Sequence, residues 1–166
     1  MSRKIRKKAL VTVLLLVAIV ILIIVLRYSG TPIEKELPES LGVSKAVMLE
    51  ANSSNWGSLD QSSDYLSSRS YRLQYDGTLE YYENYNKSGK KNFKSGEVSA
   101  EDLRRIYSVL EGDFLKRTED LNSSDGTGWE IEYFNESGKV IHQFYGYIYG
   151  YDIEQVIELL NQYLSG

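Results

Sequence analysis

The chain has 166 residues, of which 42% are apolar and 25% charged, and its formal net charge is −4. These averages are typical of one ordinary soluble domain, but they conceal a division of the chain. Residues 1–30 hold six of the 19 Lys/Arg side chains and no acidic one, which leaves 13 basic against 23 acidic side chains, or −10, in residues 31–166. A segment this acidic is a poor partner for nucleic acid, so we expect the protein to bind no nucleic acid. The absence of cysteine and the single histidine exclude thiol chemistry and Cys- or His-rich metal sites.

Residues 9–26 form the first element, an apolar run of 18 residues in which 15 are Leu, Ile or Val. At about 1.5 Å per residue a helix of this length spans about 27 Å, close to the roughly 30 Å hydrocarbon core of a bilayer. Five basic residues crowd positions 3–8, and Arg27 alone follows the run. The positive-inside rule therefore predicts a basic cytoplasmic tail (1–8) and a single transmembrane helix (9–27) that is held in the lipid bilayer of the cell membrane.

A cleaved signal peptide is the alternative interpretation of the apolar run. Signal peptides have apolar cores of roughly 7 to 15 residues and end in a small-x-small motif. The run is longer than that, and the residues that follow it, Arg-Tyr-Ser-Gly-Thr, contain no Ala-x-Ala. We therefore favour an uncleaved anchor. Residues 28–42 hold both prolines and are interpreted as a stalk, which leaves an extracytoplasmic domain over 43–166.

The domain is predicted to begin with a strand and a long loop. Residues 43–50 alternate loosely between apolar and polar side chains, as strands do. Residues 52–70 contain eight serines together with Asn, Asp and Gly, a composition typical of surface loops.

A β-hairpin follows, built on a Tyr-Asp-Gly turn. A three-residue turn closed by a left-handed glycine pairs Leu73 with Leu79 and Tyr71 with Tyr81 on one face. A two-residue turn would instead pair apolar residues with charged residues across the two strands. The longer turn keeps apolar and charged side chains on separate faces and is therefore favoured. After a basic loop, residues 93–98 are compatible with a further short strand.

Two helices are predicted from their caps and apolar spacing. The first has Ser99 as its N-cap, Asp102 three residues later and Gly112 at its end. Its predicted buried stripe is Leu103, Ile106, Tyr107, Leu110 and Phe114. The second is predicted to have Asp152 as its N-cap, with Gln155 completing a capping box. Its predicted stripe is Val156, Leu159, Leu160 and Tyr163.

A second hairpin is predicted between the helices, because residues 129–133 alternate strictly and Asn-Glu-Ser-Gly then turns the chain. The cross-strand pairs expected on its apolar face are Tyr133–Val140, Ile131–His142 and Trp129–Phe144. Taken in order, the elements predict an α+β domain. It has an antiparallel sheet of two hairpins plus an extra strand, with both helices packed on one face.

Few residue patterns indicate catalysis. His142 could serve as a general base, but the sequence ties no acid or nucleophile to it, so a packed, neutral histidine is favoured. Glu130 and Glu132 share one strand face, and paired carboxylates can hydrolyse glycosides at defined separations. Two residues apart on a solvent face, they are more often simple surface charges. The sequence predicts no catalytic residue, cofactor or metal site.

One acidic loop, residues 120–126, resembles the first half of a calcium-binding loop. An EF-hand needs glycine at its sixth position and glutamate at its twelfth, and here those places hold Asp125 and Ile131. The EF-hand interpretation therefore fails, and an irregular calcium site stays an open alternative.

Tyrosine is the outstanding residue type, with 14 in the chain and the densest run in Gly-Tyr-Ile-Tyr-Gly-Tyr over 146–151. A tyrosine ring suits stacking on a sugar or packing against a protein, and its hydroxyl adds a polar contact. Tyrosine is also a strong strand former on half-exposed sheets, which is the structural alternative. The candidate partner-binding residues are Tyr147, Tyr149 and Tyr151.

These features predict a membrane-anchored, extracytoplasmic, non-catalytic domain whose partner is an envelope protein or a cell-wall glycan. In organisation alone it resembles the small, single-pass, cysteine-free outer domains of Gram-positive bacteria. The alternatives are a carboxylate-based hydrolase and an immunity or regulatory protein that acts on a membrane partner.

Overall fold

A computed structural model describes residues 37–55, 63–118 and 127–165. They form an α+β domain with a six-stranded antiparallel sheet and two α-helices. In chain order the strands are β1 (Val47–Asn55), β2 (Leu66–Gln74), β3 (Thr78–Tyr85), β4 (Lys91–Glu97), β5 (Thr127–Phe134) and β6 (Val140–Gly146). The helices are α1 (Ala100–Glu111) and α2 (Asp152–Gln162), and a short 3-10 helix covers Phe114–Lys116.

The predicted anchor (9–26) and the acidic loop (120–126) lie outside the described residues. Within the described ranges no helix is both long and apolar enough to cross a membrane. Leu41, near the end of the predicted stalk, packs against the core, and the N–H of Gly42 donates to the Tyr75 carbonyl at 2.7 Å.

The strand order across the sheet is β4-β3-β2-β1-β5-β6, so β4 and β6 are its edges. One cross-strand row crosses the whole sheet, in the order Ser95, Glu80, Arg72, Glu50, Glu132 and Gln143. These six side chains are all polar, and they define the open face of the sheet, opposite the core.

The strand β1 extends further than the sequence predicts, because the first residues of the predicted Ser-rich loop continue it. Ser53 is buried and its hydroxyl accepts a hydrogen bond from Arg69 Nε at 3.2 Å. The Oδ1 of Asn52 accepts from the Ser70 hydroxyl at 2.6 Å. The small polar side chains of β1 therefore find hydrogen-bond partners on β2. This is why a segment with the composition of a loop forms a strand here.

The first hairpin has the predicted register, with Leu73 opposite Leu79 and Tyr71 opposite Tyr81. Its turn requires Gly77, whose φ is +94°, a left-handed conformation that side chains disfavour. The possible strand over 93–98 is present as β4.

The second hairpin forms, but its predicted register is wrong by two residues. The observed pairs are Tyr133–His142, Ile131–Phe144 and Trp129–Gly146. The N–H of Asn135 donates to the Lys139 carbonyl and closes a tighter turn than expected, and Ile141 is then an extra residue in a β-bulge. A shift of two preserves the alternation, so His142 and Phe144 stay on the predicted apolar face. Val140 does not, because it lies beyond the bulge, pairs with Phe134 and is 39% exposed.

Helix α1 begins and ends as predicted, with the Ser99 hydroxyl accepting from the Asp102 N–H at 3.2 Å and Gly112 as the C-cap. Phe114 lies beyond the helix, in the 3-10 turn, and is still buried. The buried residues of α1 are Leu103, Ile106, Tyr107 and Leu110.

Helix α2 begins one residue earlier than predicted, with Tyr151 rather than Asp152 as its N-cap and no side-chain cap. The Glu154 carboxylate instead accepts a hydrogen bond from the Gly150 N–H at 2.6 Å, which holds the chain as it enters the helix. The buried residues of α2 are Ile153, Val156, Ile157 and Leu160, while Leu159 and Tyr163 are half-buried.

Both helices cover the same face of the sheet. The Tyr71 hydroxyl donates to Asn161 in α2 at 2.8 Å, and the Tyr133 hydroxyl donates to Glu111 in α1. Five tyrosines are buried in this core: Tyr71, Tyr75, Tyr81, Tyr107 and Tyr133. Much of the tyrosine content is therefore structural, since a buried ring supplies apolar contact while its hydroxyl finds a partner.

Candidate functional site

The open face carries a polar network where β5 meets the edge strand β6. The Gln143 amide donates to Glu132 at 2.9 Å and lies 3.4 Å from Glu130, and the Tyr145 hydroxyl donates to Glu130 at 3.0 Å. We call these four side chains the acid–amide cluster. They come together because Glu130 and Tyr145 are cross-strand partners, as are Glu132 and Gln143.

The acid–amide cluster holds negative charge that no ion pair within the described part of the chain balances. Among the described residues, no lysine or arginine forms an ion pair with Glu130 or Glu132, whereas Glu50 pairs with Arg72 at 2.8 Å. Partial burial, followed by repulsion from Glu130 and Glu50, raises the pKa of Glu132. The hydrogen bond to Glu130 raises the pKa of Tyr145. A cation placed over this cluster would relieve that repulsion.

The edge strand β6 carries no charged residue, and this distinguishes it from the other edge. Its sequence is Val-Ile-His-Gln-Phe-Tyr-Gly, whereas β4 contains Lys91, Lys94 and Glu97. Natural proteins often place charges on an edge strand, because its unpaired backbone groups can recruit another strand. Val140 and Ile141, at the start of β6, are 39% and 44% exposed. The lack of charge in residues 140–146 can be seen in the sequence. Only the strand order shows that this segment is an edge strand.

The candidate tyrosines follow β6 directly, but they have different environments. Tyr149 is 64% exposed, while Tyr147 and Tyr151 are half-buried. The guanidinium of Arg117 lies 3.4 Å from the centre of the Tyr151 ring, so that face of the ring is covered. Ile148 is buried and fixes the segment to the core. Tyr149 is therefore the member of the three that is most accessible to a partner.

A cavity of about 310 Å³ lies near the β5–β6 turn. It is lined by three tyrosines, Tyr75, Tyr107 and Tyr133, and by Pro38, Glu111, Asn135, Glu136, Ser137 and Ile141. The Tyr75 hydroxyl donates to the Phe134 carbonyl at 2.8 Å, and burial raises the pKa of Tyr75 to about 12. Glu111 already accepts the Tyr133 hydroxyl. The hydrogen bonds of Tyr75, Tyr133 and Glu111 therefore hold β5 in place. The sequence patterns did not predict that these three residues lie together.

The single histidine is packed between aromatic groups. His142 lies edge-on to Phe114, with ring centres 4.9 Å apart, and its Nε2 finds no hydrogen-bond partner among the described residues. Its cross-strand partner is Tyr133. No group of three His, Asp or Glu side chains in the described ranges could hold a metal ion.

Glu130 and Glu132 lie on an open sheet face, with the Gln143 amide within hydrogen-bond reach of both carboxylates. Their arrangement suits the binding of a cationic or hydrogen-bonding group. No protein-family model matches the chain, and no curated protein matches it significantly.

Proposed function

We propose that this protein is a membrane-anchored domain that binds an envelope protein outside the cell membrane and does not catalyse a reaction. Residues 1–8 lie in the cytoplasm in this proposal, residues 9–26 cross the bilayer, and the domain that begins near residue 43 faces outward. The basic tail beside an apolar run of 18 residues supports this orientation.

One observation carries the binding function: the uncharged edge strand β6 leads directly into the exposed ring of Tyr149. An open strand edge offers backbone hydrogen bonds, and an exposed aromatic ring offers a large contact area at low entropic cost. Both features suit a polypeptide partner. A cell-wall glycan is the alternative, because sugar rings also stack on tyrosines such as Tyr147 and Tyr149.

Site-specific photo-crosslinking in living cells tests the binding surface. The photoreactive residue p-benzoylphenylalanine is introduced at Tyr149, and at Phe93 on the opposite edge strand as a matched control. These two aromatic side chains are exposed to a similar degree, 64% and 56%. We expect a discrete protein adduct from position 149 and none from position 93. An adduct that glycosidase treatment removes would favour the glycan, and equal labelling at both positions would contradict a specific surface.

The orientation has its own test, because the chain contains no cysteine. Single cysteines are introduced as Ser2→Cys and Ser165→Cys, and intact cells are treated with a membrane-impermeant maleimide. We expect labelling at position 165 in intact cells and at position 2 only after permeabilisation. The reverse pattern would overturn the proposed topology. Recovery of the position-165 label in the medium, separate from position 2, would indicate that the anchor is cleaved and would contradict a membrane-anchored domain.

A further inference from the structure

We propose that β6 accepts an extended, basic segment of the partner protein as a seventh strand of the sheet. Lysine or arginine side chains of that segment lie over Glu130 and Glu132. This inference deepens the proposed function and rests on it, because it specifies the chemistry of the partner.

The backbone of β6 is available for pairing along most of its length. It pairs with β5, and no other strand or loop of the described residues hydrogen-bonds to its backbone. The β-bulge is confined to Ile141, and pairing with β5 is regular from His142 to Gly146. Five regular residues present about 17 Å of strand edge, enough to pair with a peptide of similar length.

The two edges of the sheet differ in the way expected if one of them binds a strand. Lys91, Lys94 and Glu97 lie on β4, whereas β6 has no charged side chain. The charges therefore protect β4 from pairing with another strand. An edge strand without such charges, like β6, is a liability unless the edge is used.

The charge of the open face indicates what kind of strand fits. Side chains alternate along a strand, so Gln143 and Tyr145 point to the same face as Glu130 and Glu132. A seventh strand would lie about 4.8 Å beyond β6 and about 10 Å from β5, within reach of a long basic side chain. Cations at alternate positions of that strand could therefore neutralise both carboxylates. Such cations would relieve the repulsion from Glu130 and Glu50 that, after burial, raises the pKa of Glu132.

A second copy of this chain fits the same edge less well. Its β6 would bring no cation to Glu130 and Glu132, because that strand is uncharged. Two segments that each carry −10 over residues 31–166 would also repel each other. We therefore commit to a basic partner strand, and self-association is an outcome that the test below can detect.

Two labelled peptides serve as probes for the full-length protein in lipid nanodiscs. One is an eight-residue peptide of alternating Lys and Val, and the other alternates Glu and Val. We expect the Lys-Val peptide to bind and the Glu-Val peptide not to bind. Hydrogen exchange should slow at the backbone amides of β6 and stay unchanged in β4. Equal binding of both peptides, binding of neither, or protection of β4 instead would overturn the proposal.

A matched pair of variants separates edge docking from general charge attraction. Gln143→Lys places a cation in the acid–amide cluster, while Ser95→Lys adds the same charge at the other end of the same cross-strand row. We expect Gln143→Lys to weaken binding of the Lys-Val peptide by at least about tenfold and Ser95→Lys to change it little. Similar weakening in both variants would overturn edge docking. Urea denaturation verifies that both variants are folded.

Two further outcomes distinguish this inference from the proposed function. If Gln143→Lys leaves the photo-crosslink from position 149 unchanged, a partner still binds and edge docking by a basic strand is wrong. If β6 is protected from exchange without peptide, and the protection increases with protein concentration, a second copy occupies the edge and the basic strand is again wrong.

Discussion

Tyr133 of β5 donates its phenolic hydrogen bond to the carboxylate of Glu111, the last residue of α1. This contact connects residues that are 22 positions apart and fixes the end of α1 against strand β5. Burial, followed by the hydrogen bond to Glu111, raises the pKa of Tyr133, so the hydroxyl stays protonated and continues to donate.

We expect Tyr133→Phe to lower the free energy of unfolding by about 1.5–3 kcal/mol, the usual range for a hydrogen bond to a charged group. Urea denaturation of the full-length protein in nanodiscs measures the change. Tyr149→Phe is the control, because Tyr149 is exposed, and we expect a change within about 0.5 kcal/mol. Equal stability of the two variants would show that the Tyr133 hydroxyl contributes nothing.

Two isoleucines in the same hairpin provide a matched test of the core. Ile131 is fully buried in β5, whereas Ile141 occupies the bulge of β6 and is 44% exposed. We expect Ile131→Ala to cost about 2–5 kcal/mol, because it removes buried methyl groups and leaves a cavity. Ile141→Ala should cost clearly less in the same urea experiment. If both cost the same, the register of this hairpin described above is wrong.

Two left-handed glycines differ in the space around them. Gly77 has a φ of +94°, and a side-chain carbon added there would lie 2.8 Å from the Val98 carbonyl oxygen. Gly89 has a φ of +63° and nothing within 4 Å of the same position. Both alanine variants carry the left-handed cost of roughly 1–2 kcal/mol, and only Gly77→Ala adds a steric clash with backbone. We therefore expect the melting temperature to fall further for Gly77→Ala, and the opposite order would contradict the packing of β4 against this turn.

Stability should fall at alkaline pH because of the buried tyrosines. Burial raises the pKa of Tyr75 to about 12, above the usual value near 10. The pKa of Tyr81 is also raised, first by burial and then by its hydrogen bond to Glu83. A raised folded-state pKa favours the neutral form, so its stabilisation is complete below pH 10 and is lost as the pH rises towards 12.

Urea denaturation between pH 8 and pH 11 measures this dependence, with ultraviolet absorbance following tyrosine ionisation in parallel. We expect a nearly constant free energy of unfolding up to about pH 9 and a decline beyond about pH 10. Tyr75→Phe should be less stable at neutral pH, and its stability should depend less on alkaline pH. A free energy of unfolding that rises above pH 10 would contradict the burial of these hydroxyls.

Local signals account for much of the fold. The cap at Ser99, the stop at Gly112 and the Tyr-Asp-Gly turn all form as expected, because each depends on neighbours within four residues. The second hairpin and the start of α2 differ from the prediction. There, a bulge at Ile141 and the hydrogen bond from the Gly150 N–H to Glu154 depend on geometry that apolar alternation does not encode.

The candidate site was predicted less completely than the fold. The sequence drew attention to Tyr147, Tyr149 and Tyr151, and of these Tyr149 alone is largely exposed. The predicted register did not place Gln143 opposite Glu132 or Tyr145 opposite Glu130, because the observed register differs from it by two residues.

The sequence by itself determined the division of charge at residue 30, the α+β class, the register of the first hairpin and the bounds of helix α1. Composition, caps and short-range periodicity are properties of consecutive residues and can be read without the fold. Tertiary structure alone decided which strands became the edges, because strand order depends on contacts between residues far apart in the chain. It also decided which tyrosines are buried and which are exposed, since five of the rings lie buried in the core. The lack of charge on β6 becomes informative only when the strand order shows that, among the described residues, β6 has a neighbouring strand on one side and none on the other.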